Sequence, residues 1–178
     1  MSTLDTCEVC GFSRDGITAE EIPNRLRAAV TSFVNVVTES GPTALVRPSP
    51  QRWSNVEYGA HVRDVLISIR ERMITASIVE RPVGAPLYRD ERVTLGLYRL
   101  DTTSDVANDL ETVGQLFVRT FRALPPDYES RELVYSSVTP ETVTIRWLGA
   151  QALHECEHHL ADVRENRSLL GARPSPSS

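Results

Sequence analysis

No stretch of this 178-residue chain approaches the roughly 18 consecutive apolar residues of a membrane-spanning helix, so a protein that crosses a bilayer in that way is excluded. Cationic charge is scarce as well. The 19 Lys and Arg residues face 24 Asp and Glu, for a formal net charge of -5, a balance opposed to nucleic-acid binding, which draws on clustered Lys and Arg. The first residues lack the basic-then-apolar pattern of a secretion signal, and a cytoplasmic chain is expected. There are only three cysteines, too few and odd in number for a disulfide framework. Two of them stand as Cys7-x-x-Cys10, a spacing that points to metal or redox chemistry in a reducing compartment. Internal repeats are absent, and no strand-like alternation stands out, although 87–100 contains Val93, Thr94 and Leu95 and could hold a short extended piece.

What the chain does have is helical periodicity. Its hydrophobic content of 40% suffices for one core. Thr18 and Glu21 are spaced as a capping box, followed by Ile22, Leu26, Ala29, Val30, Phe33 and Val37 on one stripe, with a stop at Gly41-Pro42. A second box, Ser54 and Glu57, opens a helix through Val62, Val65, Leu66, Ile69, Met73 and Ala76 to about Glu80. A third helix follows Thr103-Ser104-Asp105, carries Val106, Leu110, Val113, Phe117, Phe121 and Leu124, and ends at Pro125-Pro126. A fourth opens at Thr139-Pro140-Glu141, with proline at the favoured first helical position, and runs through Ile145, Leu148, Ala152, Cys156, Leu160 and Val163 to Gly171. The expected fold is all-α: a four-helix bundle over 18–171, an N-terminal CxxC segment over 1–17 packed on it, and a disordered Pro/Ser-rich tail over 172–178. Residues 81–101 form a connection long enough to recross the bundle, which predicts that the second and third helices run parallel.

Of four histidines, three lie in His154-Glu155-Cys156-Glu157-His158-His159 and the fourth, His61, lies near the start of the second helix. Such clustering calls for a metal, since imidazoles and carboxylates one turn apart are the usual ligands of bundle cores. Positions i and i+4 share a helix face, which gives two pairs, His154/His158 and Glu155/His159. Glu155 and His159 border the apolar stripe, as His61 does on the second helix. An inward site of His61, Glu155 and His159 is therefore favoured over one built on His154 and His158, with Asp162 as partner for an imidazole N–H. His154 and His158, on another side near Trp147, would combine with Cys7 and Cys10 into a Cys2His2 zinc set pinning the N-terminal segment to the outer face of the fourth helix. The alternative is a pair of reduced thiols in a mobile N-terminus. Cys156, on the apolar stripe, is assigned to the core. His154-Glu155-x-x-His158 also matches the His-Glu-x-x-His signature of zinc proteases, but no third ligand follows it after Glu165, and a chance match is the better reading.

The four helices, the Arg52-Trp53-Ser54 lead-in followed by His61, and the His/Glu-rich last helix resemble the DinB-like superfamily over roughly 18–170. Within it, Glu155-x-x-x-His159-x-x-Asp162 is similar to the pattern of mycothiol-dependent maleylpyruvate isomerase. The resemblance implies a bundle with a divalent metal held by the second and fourth helices. It also implies a reaction in which a low-molecular-weight thiol of the mycothiol or bacillithiol type meets an electrophilic small molecule. Zinc is the expected ion, with nickel or another divalent ion as the alternative at the inward site. Three protein ligands leave a position open, and a metal-bound thiol is held as the nucleophilic thiolate. Arg89, Arg92 and Arg99, in the long connection, are candidates for orienting a substrate carboxylate. Two other readings stay open, a non-catalytic stress-associated metal-binding bundle and a metal-assisted hydrolase; so does homodimer formation through the apolar second connection or Trp147.

Overall fold

The structure is a computed structural model that describes residues 5–135 and 140–171. Four long helices form the bundle: α1 (Glu21–Glu39), α2 (Asn55–Ile78), α4 (Thr103–Ala123) and α5 (Ile145–Gly171), with a short α3 (Arg89–Thr94) between α2 and α4. Each start has a local cause. Ser54 Oγ accepts the Glu57 N–H at 3.2 Å while the Glu57 carboxylate accepts the Ser54 N–H at 2.9 Å, a complete capping box. At α1 only the return half forms, Glu21 accepting from the Thr18 N–H and hydroxyl. α4 begins one turn earlier than its expected start after Asp105, because Thr102 and Asp105 make a reciprocal box of their own.

Cross-helix contacts fix the topology. Gly59 of α2 lies against Val106 and Leu110 of α4, and Arg70 farther along α2 donates to Thr120 farther along α4, so the two run parallel as expected. α1 and α5 are also parallel: Gly149 meets Ile22, Arg25 pairs with Glu157, and Arg167 pairs with Glu39. α2 and α5 run antiparallel, with Asn55 bonded to Asn166 and His61 facing Glu155. α1 and α2 occupy one diagonal of the bundle and α4 and α5 the other, each helix of one pair packing on both of the other. The connection from α2 to α4 accordingly travels the length of the bundle. Ile22, Leu26, Leu66, Met73, Leu110, Phe117, Leu148 and Cys156 are wholly buried between the helices; burial pushes the Cys156 thiol up, as suits a core residue.

Three expectations are corrected. The fourth helix does not open at Pro140: residues 142–144 instead form strand β2 (Thr142–Thr144), antiparallel to β1 (Glu132–Val134), and α5 starts at Ile145. The extended piece around Val93 is helical, covered by α3 and a 3-10 turn at Leu97–Arg99. Trp147 is not free for a dimer contact; it is 5% exposed, its indole N–H donating to Asp5 at 3.1 Å beneath the N-terminal segment. The 172–178 tail and Thr139 lie outside the described residues. Among the described residues no helix is long and apolar enough to cross a membrane.

Candidate metal centre

His61 sits on α2 less than two turns after the Ser54 cap, and Glu155 and His159 sit one turn apart on α5, facing it. His61 Nε2 lies 3.4 Å from Glu155 Oε2, and His159 Nε2 lies 3.5 Å from the same oxygen. The three donor atoms are all within 4.8 Å of one another. These separations exceed the 2.7–2.9 Å or so of a charge-assisted hydrogen bond. Two donors each about 2.0–2.1 Å from one ion at a tetrahedral angle stand about 3.3–3.5 Å apart, so the donor set fits a single ion.

The residues behind the donors point the lone pairs inward. His159 Nδ1 is 2.8 Å from Asp162 Oδ2 and His61 Nδ1 is 3.4 Å from the Tyr98 hydroxyl. With the Nδ1 protons facing these oxygens, both Nε2 atoms are left as acceptors for a metal. Gln151, one turn before Glu155, donates to Glu155 Oε1 at 2.8 Å and leaves Oε2 to the imidazoles. Burial would raise the Glu155 pKa, but bonds to His154, His159 and His61 hold its carboxyl well below the usual range. Burial, joined by the charges of His159 and Arg89, outweighs Glu155 and lowers His61, favouring the neutral ring that a ligand must be. For His159 burial acts downward too, but Asp162 and Glu155 outweigh it and raise the ring to about 9. Asp162 is itself steadied by Arg52, which also bonds Asn166 and Glu165. The Arg52-Trp53 lead-in thus ties the cap of α2 to the ligand turn of α5. Trp53 stands edge-on to His61 at 5.5 Å and Tyr58 lies 5.1 Å from His159, walling the site with aromatic rings.

His61 and Glu155 lie at the foot of a cavity of about 470 Å³ that is lined also by Arg72, Arg89, Tyr88, Tyr135 and Gln151. Of the three arginines expected near a substrate, Arg89 lines this cavity, Arg92 pairs with Asp64 and the Leu87 carbonyl, and Arg99 pairs with Glu57. Arg72 was not singled out by the sequence. It stacks on Tyr135 at 4.9 Å, and its Nε is buried with no hydrogen-bond partner among the described residues.

The other pair on α5 faces elsewhere. His154 and His158 meet Cys7 and Cys10, with all four donor atoms within 4.8 Å of one another, and Cys7 Sγ lies 3.9 Å from His158 Nδ1. The N-terminal segment covers His154, leaving it 5% exposed, with Phe12 5.3 Å from its ring. A third combination, His158, His159 and Asp162, borrows from both sets. Because His154 and His158 converge on Cys7 and Cys10 while Glu155 shares Oε2 with His61 and His159, the His-Glu-x-x-His spacing does not build a protease centre.

A family model of the DinB superfamily matches residues 19–163. The chain belongs to the DinB superfamily. Among solved structures, this DinB-like chain is similar to YfiT from Bacillus subtilis, described as a probable metal-dependent hydrolase with an unusual four-helix bundle topology. The identity is 18% and the TM-score 0.71, over 96% of this chain and 94% of that one, a likeness of fold. A comparison with curated protein sequences found no match.

Proposed function

We propose that this DinB-like protein is a metal-dependent enzyme that transfers a low-molecular-weight thiol, of the mycothiol or bacillithiol type, to an electrophilic small molecule. The observation that carries the reading is the spacing of His61, Glu155 and His159 beside a cavity of about 470 Å³ that His61 and Glu155 line. A divalent ion held there would stabilise the deprotonated form of a thiol at neutral pH. The protein's residues do the rest. Asp162 and Tyr98 hold the ring protons, Gln151 holds one carboxylate oxygen, and the Trp53 and Tyr58 rings keep water from the imidazoles. Arg89, which lines the cavity, supplies donors for a substrate carboxylate. With a chlorinated bimane as electrophile, the C–S bond forms as chloride leaves and the thiol proton passes to solvent.

The test is thiol consumption with that bimane, by metal-loaded protein, chelated protein and the Glu155→Gln variant. Turnover that depends on metal and on Glu155 supports transfer; no turnover above background with several thiols refutes it and leaves a non-catalytic metal-binding bundle. A second reading, hydrolysis by metal-activated water, is favoured by the likeness to YfiT, and it predicts turnover of ester or amide substrates with no thiol present.

A further inference from the structure

The inward site leaves unused a second set of donors, and it is a different kind of set. We propose that Cys7, Cys10, His154 and His158 bind a zinc ion in a closed tetrahedral shell that clips the N-terminal segment onto α5. Two thiolates and two imidazoles fill all four positions, which is the composition of structural zinc rather than of an open catalytic centre.

The backbone of the N-terminal segment is already shaped for this. The Cys7 N–H donates to the Phe12 carbonyl at 2.9 Å, and the Gly11 N–H donates to the Cys7 carbonyl at 2.8 Å. Gly11 has φ +72°, the left-handed conformation that closes the turn and that glycine adopts without strain. On α5, His154 Nε2 is buried with no hydrogen-bond partner among the described residues. A metal bond would give that nitrogen a partner. His158 offers Nδ1 to the same point, its Nε2 lying 3.9 Å from Asp162.

Ligation through Nε2 requires the His154 Nδ1 proton to face Glu155 Oε1, 3.5 Å away. Arg14 Nη2, 3.1 Å from the same Nδ1, can only donate and favours the opposite tautomer. The ion therefore selects one of two ring states, and Arg14 keeps its bonds to Gln151 and the Asp5 carbonyl.

The experiment is elemental analysis of full-length protein loaded with zinc, then with cobalt, for wild type, Glu155→Gln and Cys7→Ser/Cys10→Ser. Wild type is expected to hold two ions per chain and the double cysteine variant one. A thiolate-to-cobalt charge-transfer band should be present in wild type and Glu155→Gln and lost in the cysteine variant. Should the cysteine variant fail to fold, thiol reactivity of wild type decides: Cys7 and Cys10 should be protected in zinc-loaded protein and react after chelation. One ion per wild-type chain with no thiolate charge-transfer band, two ions in the cysteine variant, or equal thiol reactivity with and without zinc overturns the proposal. These outcomes are independent of turnover, so a failed transferase reading leaves this one standing, and the reverse.

Discussion

Replacing Gly59 with alanine tests how closely α2 must approach α4 to bring His61 into place. A Cβ at position 59 would stand 2.3 Å from Val106 Cγ1, 3.4 Å from Leu110 Cδ1 and 3.5 Å from Phe33 Cε1. Carbon atoms settle about 3.5–4.0 Å apart, so the first contact is a true overlap. Val106 is wholly buried and, being β-branched on a helix, holds essentially one χ1 rotamer, so it cannot swing clear. Helix propensity alone would make Gly59→Ala more stable by about 1 kcal/mol. Overpacking costs about 1–3 kcal/mol, and an overlap this deep against a stiff neighbour belongs in the upper part of that range. The net expectation is a loss of about 1–2 kcal/mol, read as a lower urea midpoint at unchanged m-value in metal-free protein. Val106→Ala removes the obstructing methyl groups, so in the double variant the two losses should fall short of their sum by about 1–2 kcal/mol. A Gly59→Ala protein more stable than wild type would refute the reasoning, because it would mean that α2 and α4 are not held at this distance.

Two further expectations concern charged groups near the site. Asp162→Asn weakens the group that holds the His159 Nδ1 proton at 2.8 Å; metal affinity at the inward site should fall about 10–100-fold in a chelator-competition titration, and unchanged affinity would remove Asp162 from the site. Glu57 is buried, which pushes its carboxyl up, but Arg47, Arg99 and the Ser54 cap overcome burial and lower it to about 2, against an ordinary 4.5. A depressed carboxylate contributes fully above its unfolded pKa and loses that contribution as the pH falls through its folded one. Wild type should thus exceed Glu57→Gln in urea midpoint at neutral pH, with the gap closing between pH 4.5 and 2; a gap that does not change over this window would contradict the assignment.

Much of the architecture was legible because its signals are local. The Ser54 and Glu57 box needs only its own four residues, and the i, i+4 rule separated Glu155 and His159 from His154 and His158 without any tertiary information. The start of α5 misled because Pro140 satisfies the rule for a first helical residue, while the competing strand is three residues long, too short for alternation to register, and pairs with a partner at 132–134. The particular contacts that bury His154 were illegible for another reason: they come from Phe12 and Arg14, more than a hundred positions away, folding over α5. Gln151 was within reach of sequence reasoning, standing one turn before Glu155 on the same face, whereas Tyr98 and Arg72 join the site through the path of the long connection and the fold of α2 against it.

Adjacent residues on a helix point about 100° apart, so His154 and His158 turn to Cys7 and Cys10 while Glu155 and His159 turn to His61. Repeating such a doublet after four residues therefore makes two donor sets back to back on α5. The side chains between them link the two sets. Glu155 turns Oε2 to His61 and His159, and Oε1 to Gln151 and His154. Gln151 in turn accepts from Arg14 of the N-terminal segment. Asp162 holds His159 on one side and faces His158 on the other. The N-terminal segment is thus part of the support of the inward carboxylate, two bonds removed from it. Anything that releases the segment from α5 frees Gln151 first and, through it, the oxygen that keeps Glu155 turned toward His61.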